Sequence, residues 1–362
     1  MKKQLQLAMM LALAASSVRM PAQEASSGID LRGTVTAQSV ASNEPTEAPR
    51  AGAPVITGSR AVLYPTAKFS DQWFASGALQ VATRPYFYQD LSSTGLGARG
   101  NVLQASLNYA RISERGSLLV RAGQMPSAFG SFLLRYDDAS NPLVDIPVSY
   151  GYYYSPVSFL GVFGAEVDAS RGKIDGRLQF ANSSPANPRS IFARDQYGNW
   201  AAGGGYTIRQ GMRVGVSGYR GPYLDRKYAY YFPGEVNPNK LPARGLGIDG
   251  NWAHGHTTIN LELQKFVMPY TRIPNFRESA AYGEFRQVLT PRWFVAARYG
   301  YSSTNVTGKL HSIEAGAAFR PNRCQMIKFS YEEQRYIPRS EGPNHTFGLQ
   351  LVTELHRSLA FR

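Results

Sequence analysis

From residue 28 to the end of the chain, apolar side chains recur at every second position rather than at every third or fourth. In GIDLRGTVTA, Ile29, Leu31, Gly33 and Val35 share one face, opposite Asp30, Arg32, Thr34 and Thr36. KIDGRLQFA, TINLELQ and MIKFSYEEQ repeat the pattern, and no stretch carries a convincing helical period. This spacing predicts about sixteen strands, near 28–40, 60–70, 72–84, 101–112, 116–126, 158–170, 172–183, 199–208, 212–222, 245–254, 257–268, 278–289, 292–303, 308–320, 324–336 and 345–361. An even number of strands brings both ends of the chain to one side.

The expected connections alternate between long (41–59, 85–100, 127–157, 184–198, 223–244, 269–277) and short (Asp71, 113–115, Arg171, 209–211, 255–256, 290–291, 321–323). The last two links on the long side, 305–307 and 337–344, are shorter. A soluble sandwich has no reason to segregate its connections in this way. A barrel with short turns on one side of a bilayer, longer loops on the other and alternating apolar-out, polar-in strands does. The expected fold is therefore all-β, a transmembrane antiparallel up-and-down β-barrel of about sixteen strands. The final run HTFGLQLVTELHRSLAFR becomes the closing strand, with Phe347, Leu349, Leu351 and Leu355 facing lipid.

The N-terminus explains how such a chain reaches a membrane. Lys2 and Lys3 precede an apolar core from Leu5 to Val18, followed by small residues before a cut after Ala22. This reads as a secretory signal peptide over 1–22, with one barrel domain over 23–362. The apolar run falls short of the roughly 20 residues that a spanning helix needs. Removing it takes away Lys2, Lys3 and Arg19 and no acid, lowering the formal charge from +14 to +11. The mean hydropathy of -0.30 is low for a membrane protein, which a wet and charged lumen accounts for.

The stretch RAGQMPSAFGSFLLRYDDASNPL, residues 121–143, resembles the region after an early hairpin in Gram-negative outer-membrane porins, particularly the phosphate-selective porin O and P type. Gly123, Phe129 and Gly130 carry the match. The resemblance implies a channel for diffusion of small hydrophilic solutes, in the bacterial outer membrane after export through the periplasm, and a homotrimer. It also implies that the long loop 127–157 folds inward as a constriction, with Arg135, Asp137, Asp138 and Asp145 as pore-lining charges. The alternative is that this loop packs outside. Leu359 and Phe361 resemble the C-terminal signal read by the barrel-assembly machinery, here followed by Arg362.

Sorting charge by face decides what the basic balance means. The faces assigned to the lumen carry Arg32, Arg121, Arg177, Arg286, Arg298 and Lys328, but also Asp30, Asp175, Asp249, Glu262, Glu284, Glu314 and Glu332. The lumen is close to balanced, so no ladder of basic residues supports phosphate selectivity. The surplus cations cluster at the short turns (Arg111, Arg115, Arg171, Lys173, Arg209, Arg213, Arg292, Arg320, Arg323) and in the loops (Arg226, Lys227, Lys240, Arg244, Arg272, Arg277, Arg339). There they would meet the phosphates of phospholipid and lipopolysaccharide. An exported barrel has little occasion to meet nucleic acid.

Other motifs carry less. GLGARG (Gly95 to Gly100) and GLGIDG (Gly245 to Gly250) match a dinucleotide fingerprint, but each runs into a strand pattern rather than a helix. The five histidines are scattered, and the HGH at 254–256 reads as a turn without a third zinc ligand. The nucleophile signature G-x-S-x-G and the zinc signature H-E-x-x-H do not occur. An enzyme is therefore not expected, nor a cofactor or metal. The aromatic runs at 149–157 and 223–233 read as an interfacial girdle, the sharper alternative being a sugar-guiding stack. Cys324 reads as an incidental free thiol at a turn. The rivals to a channel are a closed structural or adhesive barrel and, less favoured, an outer-membrane enzyme.

Overall fold

In the computed structural model the described residues are 27–43, 55–84, 97–132, 136–150, 161–182, 198–221, 241–270, 274–306, 308–338 and 342–360. Their strands are β1 (Gly28–Ser42), β2 (Val55–Lys68), β3 (Trp73–Arg84), β4 (Gly97–Ser113), β5 (Gly116–Met125), β6 (Val162–Arg171), β7 (Ile174–Ala181) and β8 (Asn199–Arg209). They continue with β9 (Met212–Gly221), β10 (Ala243–His254), β11 (Thr257–Met268), β12 (Phe276–Thr290), β13 (Trp293–Thr304), β14 (Gly308–Asn322), β15 (Gln325–Ile337) and β16 (Asn344–Ala360). Each strand pairs antiparallel with the next, and β1 pairs with β16 from Gly28↔Ala360 to Ser42↔Thr346. The sixteen-stranded sheet is closed. Closure leaves no strand edge unpaired, the condition a sheet must meet to cross hydrocarbon.

Alternation sets which side chains point where, and burial runs opposite to that of a soluble protein. On β11, Leu261 and Leu263 are 54% and 57% exposed on the outer surface, while Glu262 and Gln264 between them are 2% and 5% exposed on the inner one. On β15, Ile327 and Phe329 face out, while Met326, Lys328, Ser330 and Glu332 are buried inside. Large apolar residues on the outside of nearly every strand make a continuous surface suited to lipid, around an interior that is polar and charged.

The strands meet through residues 69–72, 114–115, 172–173, 210–211, 255–256, 291–292 and 323–324 at one end, and through longer links, including 126–161, at the other. The two ends are as the sequence predicts. The start of β2 at Val55 and of β4 at Gly97 comes earlier than expected, because GSR and GARG carry little alternation to read. The start of β6 at Val162 comes later than expected, and residues 158–160 of the expected strand lie outside the described residues. Both glycine fingerprints bear on strands: Gly97–Gly100 opens β4, and Gly245–Gly250 lies within β10. Phe347, Leu349 and Leu359 of β16 are exposed on the outer face; Phe361 falls outside the described residues.

Candidate functional site: the inward loop and the lumen wall

After β5 ends at Met125, residues 126–132 and 136–150 of the connection turn into the barrel. Its first contact is with β7, where Gln179 accepts from the Ala128 amide at 3.1 Å and donates to Pro126 O at 2.9 Å. Phe129 and Phe132 are then fully buried against the inner wall with Tyr219, Phe266 and Tyr282. Phe132 packs its ring 5.3 Å from Tyr150 and edge-on to Tyr282 at 6.1 Å. Glu262 of β11 fixes this segment, accepting from the Ser131 amide at 3.0 Å, Ser131 Oγ at 2.7 Å and Tyr150 Oη at 2.6 Å. Gly130 is required here. Its φ of +86° disfavours any side chain, and a Cβ would overlap the Tyr150 hydroxyl.

The loop next reaches the far wall. Asp138 forms a buried ion pair with Arg60 of β2 at 2.6 Å, Tyr64 donates to Asp137 Oδ2 at 2.5 Å, and Tyr136 donates to Gln80 Oε1 of β3 at 2.7 Å. Lys328 of β15 donates to the carbonyls of Asp138, Asn141 and Leu143 at 2.7, 2.9 and 3.1 Å. Arg298 of β13 bonds Glu284 at 2.6 Å and Glu314 at 3.1 Å, and also holds Asn141 Oδ1 at 2.7 Å and Asp145 O at 2.8 Å. Glu314 in turn accepts from the amides of Val144 and Asp145. The returning chain presses Leu143, Val144 and Val148 onto inward glycines at 316, 348 and 300, where a Cβ would come within 2.8–3.1 Å of them.

These contacts revise the expected roles of several residues. Asp137 and Asp138 are not open pore-lining charges: both are turned onto the wall, because Arg60 and Tyr64 offer them partners there. Asp145 is half-buried against the wall, and desolvation beside Glu314 pushes its carboxyl up to about 7. Arg135 lies outside the described residues. Arg32, Arg121, Arg177, Glu262, Glu284, Arg286, Arg298, Glu314, Lys328 and Glu332 all sit on the inward-facing parity of their strands. Glu262, Glu284, Arg298, Glu314, Lys328 and Glu332 are buried; Glu262, Arg298, Glu314, Lys328 and Glu332 bond the loop directly, and Glu284 bonds Arg298. Their charges anchor rather than meet water.

Sequence reading missed Arg60, Tyr64, Glu166, Asp168 and Glu278 on the lumen side, and placed Arg213 and Arg320 among the lipid-facing turn cations. Arg213 turns inward to Asp175 at 2.6 Å and Asp249 at 2.8 Å, and Arg320 reaches Glu354 at 3.1 Å. The alternation of Val214 and Val216 outward would have placed Arg213 inside. Tyr150, the first tyrosine of the aromatic run 149–157, is a buried loop anchor rather than part of a girdle, since the loop carries it inward. The rest of that run and the run at 223–233 lie outside the described residues.

A different wall stays wet. Between β5 and β10, below the loop, Arg121 is paired with Glu166 at 2.6 Å and with Asp168, and Arg213 with Asp175 and Asp249. The side chains of Arg213 and Asp175 remain 35% and 37% exposed, so solvent reaches this sector.

Comparison with known proteins agrees with this architecture. Salmonella typhi OmpF, in its complex with daunomycin, superposes with a TM-score of 0.61 over 93% of this chain and 100% of its own, at 11% identity. The fold is that of the porin barrels. The anion-selective porin from Comamonas acidovorans matches with a TM-score of 0.60 at 12% identity, covering 91% of this chain and 100% of its own. The trimer form of OmpT, an outer membrane protein of Vibrio cholerae, matches at 0.57 and 11% identity, covering 91% and 99%. No family model and no curated protein matches by sequence. The likeness is therefore one of fold, and the phosphate-selective type is not singled out among these porins.

The Asp145 carboxyl gives the loop a pH dependence. Its pKa is near 7 folded and 3.8 when free. The folded state therefore holds more protons than the unfolded one between those values, and its stability falls as pH rises through this window. Loop attachment should be tighter at pH 5 than at pH 8, read as slower protease cutting within 126–150. Asp145→Asn should flatten that difference; an unchanged pH response in the variant would contradict the assignment.

Proposed function

We propose that the chain is an outer-membrane channel that passes small hydrophilic solutes by diffusion, narrowed by its inward loop. The observation that carries this reading is the contrast between two sectors of the lumen. The loop is held on β2, β3, β7, β9, β11 and β13–β15 by hydrogen bonds and a buried ion pair, while Arg213 and Asp175 on the wall of β7 and β9 stay open to water. Sixteen strands enclose a bore wide enough for an aqueous path beside such a loop. Paired wall charges would give weak overall ion selectivity, with pore width doing most of the sorting.

The accompanying expectations fit this reading. Residues 1–22 would direct export through the periplasm of a Gram-negative cell, Leu359 and Phe361 would engage the barrel-assembly machinery, and the outer basic residues would contact phospholipid and lipopolysaccharide. A homotrimer draws support from the trimer form of OmpT described above.

Swelling of proteoliposomes in a series of sugars tests the channel. Swelling should be rapid for a pentose and should fall steeply as solute mass increases. The competing reading, a barrel closed by its own loop, rests on how many wall strands the loop touches. Folded, heat-modifiable protein that gives no swelling with any solute would decide for it.

A further inference from the structure

At the long-loop end of the barrel, basic residues crowd onto one part of the outer surface. Arg220 is the next-to-last residue of β9, Arg244 and Arg277 are second in β10 and β12, and Lys265 is the fourth residue from the end of β11. All four are exposed, on the outward parity they share with Val216, Ile248, Leu263 and Phe285 of the same strands.

Register sets them side by side. Arg220 lies directly opposite Arg244, and Val267 lies opposite both Arg244 and Arg277. Lys265, two residues along from Val267, lies opposite Leu246. With strands about 4.8 Å apart, the three arginines span roughly 14 Å of wall. Beyond Arg220 the same row runs into Trp200 and Phe180, whose ring centres are 4.7 Å apart. An exposed tryptophan at the end of a spanning strand marks the level of the lipid head groups.

No acid balances this row. The carboxylates of β9–β12 are Asp249, Glu262, Glu278 and Glu284, and all of them stand on the inward parity. Among the described residues none of the four cations makes an ion pair, whereas Arg335, on the outer face of β15, has Glu333 at 2.5 Å. Two like charges directly opposite on paired strands repel. An anion with more than one charge laid across the row turns that repulsion into attraction. Towards the middle of the wall the same strands expose Leu246, Ile248, Leu261 and Leu263, an apolar surface continuous with the row.

We infer that the outer wall of β9–β12 is a docking site for a lipid with two or more phosphates on its head group, the lipopolysaccharide of the outer leaflet. Arg220 and Arg244 share one phosphate, each guanidinium offering a planar fork to two oxygens, and Arg277 with Lys265 takes another. The acyl chains lie along the leucines. The site rests on the outer-membrane placement proposed above and narrows the contact expected there to one sector, but it needs no open path through the barrel.

Lipid A and phosphatidylglycerol, added to the detergent-folded barrel at equal phosphate, separate this site from a surface that merely attracts anions. Native mass spectrometry should show one lipid A retained per barrel and not displaced by excess phosphatidylglycerol. Arg220→Gln/Arg244→Gln should weaken that binding about tenfold or more, the loss expected for charge-assisted contacts to one phosphate. Lys309→Gln/Arg335→Gln removes the same charge from another part of the outer wall and should leave it unchanged. In lipid-free detergent the arginine variant should have a heat-modification midpoint no lower than that of the wild type, since a repulsion has been removed. A lower lipid-free midpoint, equal displacement by phosphatidylglycerol, or undiminished lipid A binding by the arginine variant would overturn the site. A barrel that binds lipid A in this way but conducts no ions would uphold the site and contradict the channel.

Discussion

Replacing Arg298 with methionine is expected to loosen the inward loop by about 3–5 kcal/mol, the effect of removing one partner from a buried ion network. Arg298 is 3% exposed, and it is the residue that brings Glu284, Glu314, Asn141 and the Asp145 carbonyl together. Without it, two carboxylates lose the cation that lies between them in a site with little water. The accompanying variant Arg298→Met/Glu284→Gln/Glu314→Gln should recover most of the loss, because the unbalanced charge rather than the missing contact is what destabilises. Protease cutting within 126–150, followed against urea, reads both variants. If the single variant cuts like the wild type, or if the triple variant is worse than the single one, the anchoring role assigned to Arg298 is wrong.

Phe132→Ala should act on the other half of the loop. The ring is fully buried between Tyr150 and Tyr282, with the Arg298 guanidinium 5.7 Å from its centre. Truncation opens a cavity worth about 3–5 kcal/mol when the surroundings cannot collapse, and barrel strands held by their neighbours have little freedom to do so. Since the closed sheet does not depend on this ring, the loss should appear in the loop before it appears in the barrel. Cutting within the loop should rise about a hundredfold or more, with the heat-modification midpoint of the barrel nearly unchanged. Because Phe132 also touches Arg298, the two substitutions together should cost less than the sum of each alone. A fall in the barrel midpoint without loop release would show that the ring supports the wall instead.

The sequence made the barrel legible where each face of a strand has one chemistry. β11, TTINLELQKFVM, reads directly, because Leu261 and Leu263 meet the outside and Glu262 and Gln264 the inside. β2, VITGSRAVLYPTAK, does not, because its inner face carries Val62 and Tyr64, which pack with Tyr136 of the loop instead of meeting water. That inner apolar patch exists only because the loop comes in, and the direction of a loop leaves no period to read. Arg60 was missed for the same reason: its partner Asp138 lies 78 residues away. The residues beneath the loop were readable as inward-facing but not as buried, since Glu262 and Arg298 would look the same on a wall open to solvent. The glycines of β8 carried no signal of their own; their meaning comes from arginines on the strands to either side.

The measurement closest to the central claim is the single-channel conductance of the refolded protein in a planar bilayer, compared with a variant in which residues 127–160 are replaced by a short flexible linker. If the loop occupies the lumen beside an open path, the wild type gives small discrete steps and the variant gives steps several-fold larger. Steps of the same size in both would place the narrowing elsewhere, and silence from the folded wild type would contradict an open path beside the loop.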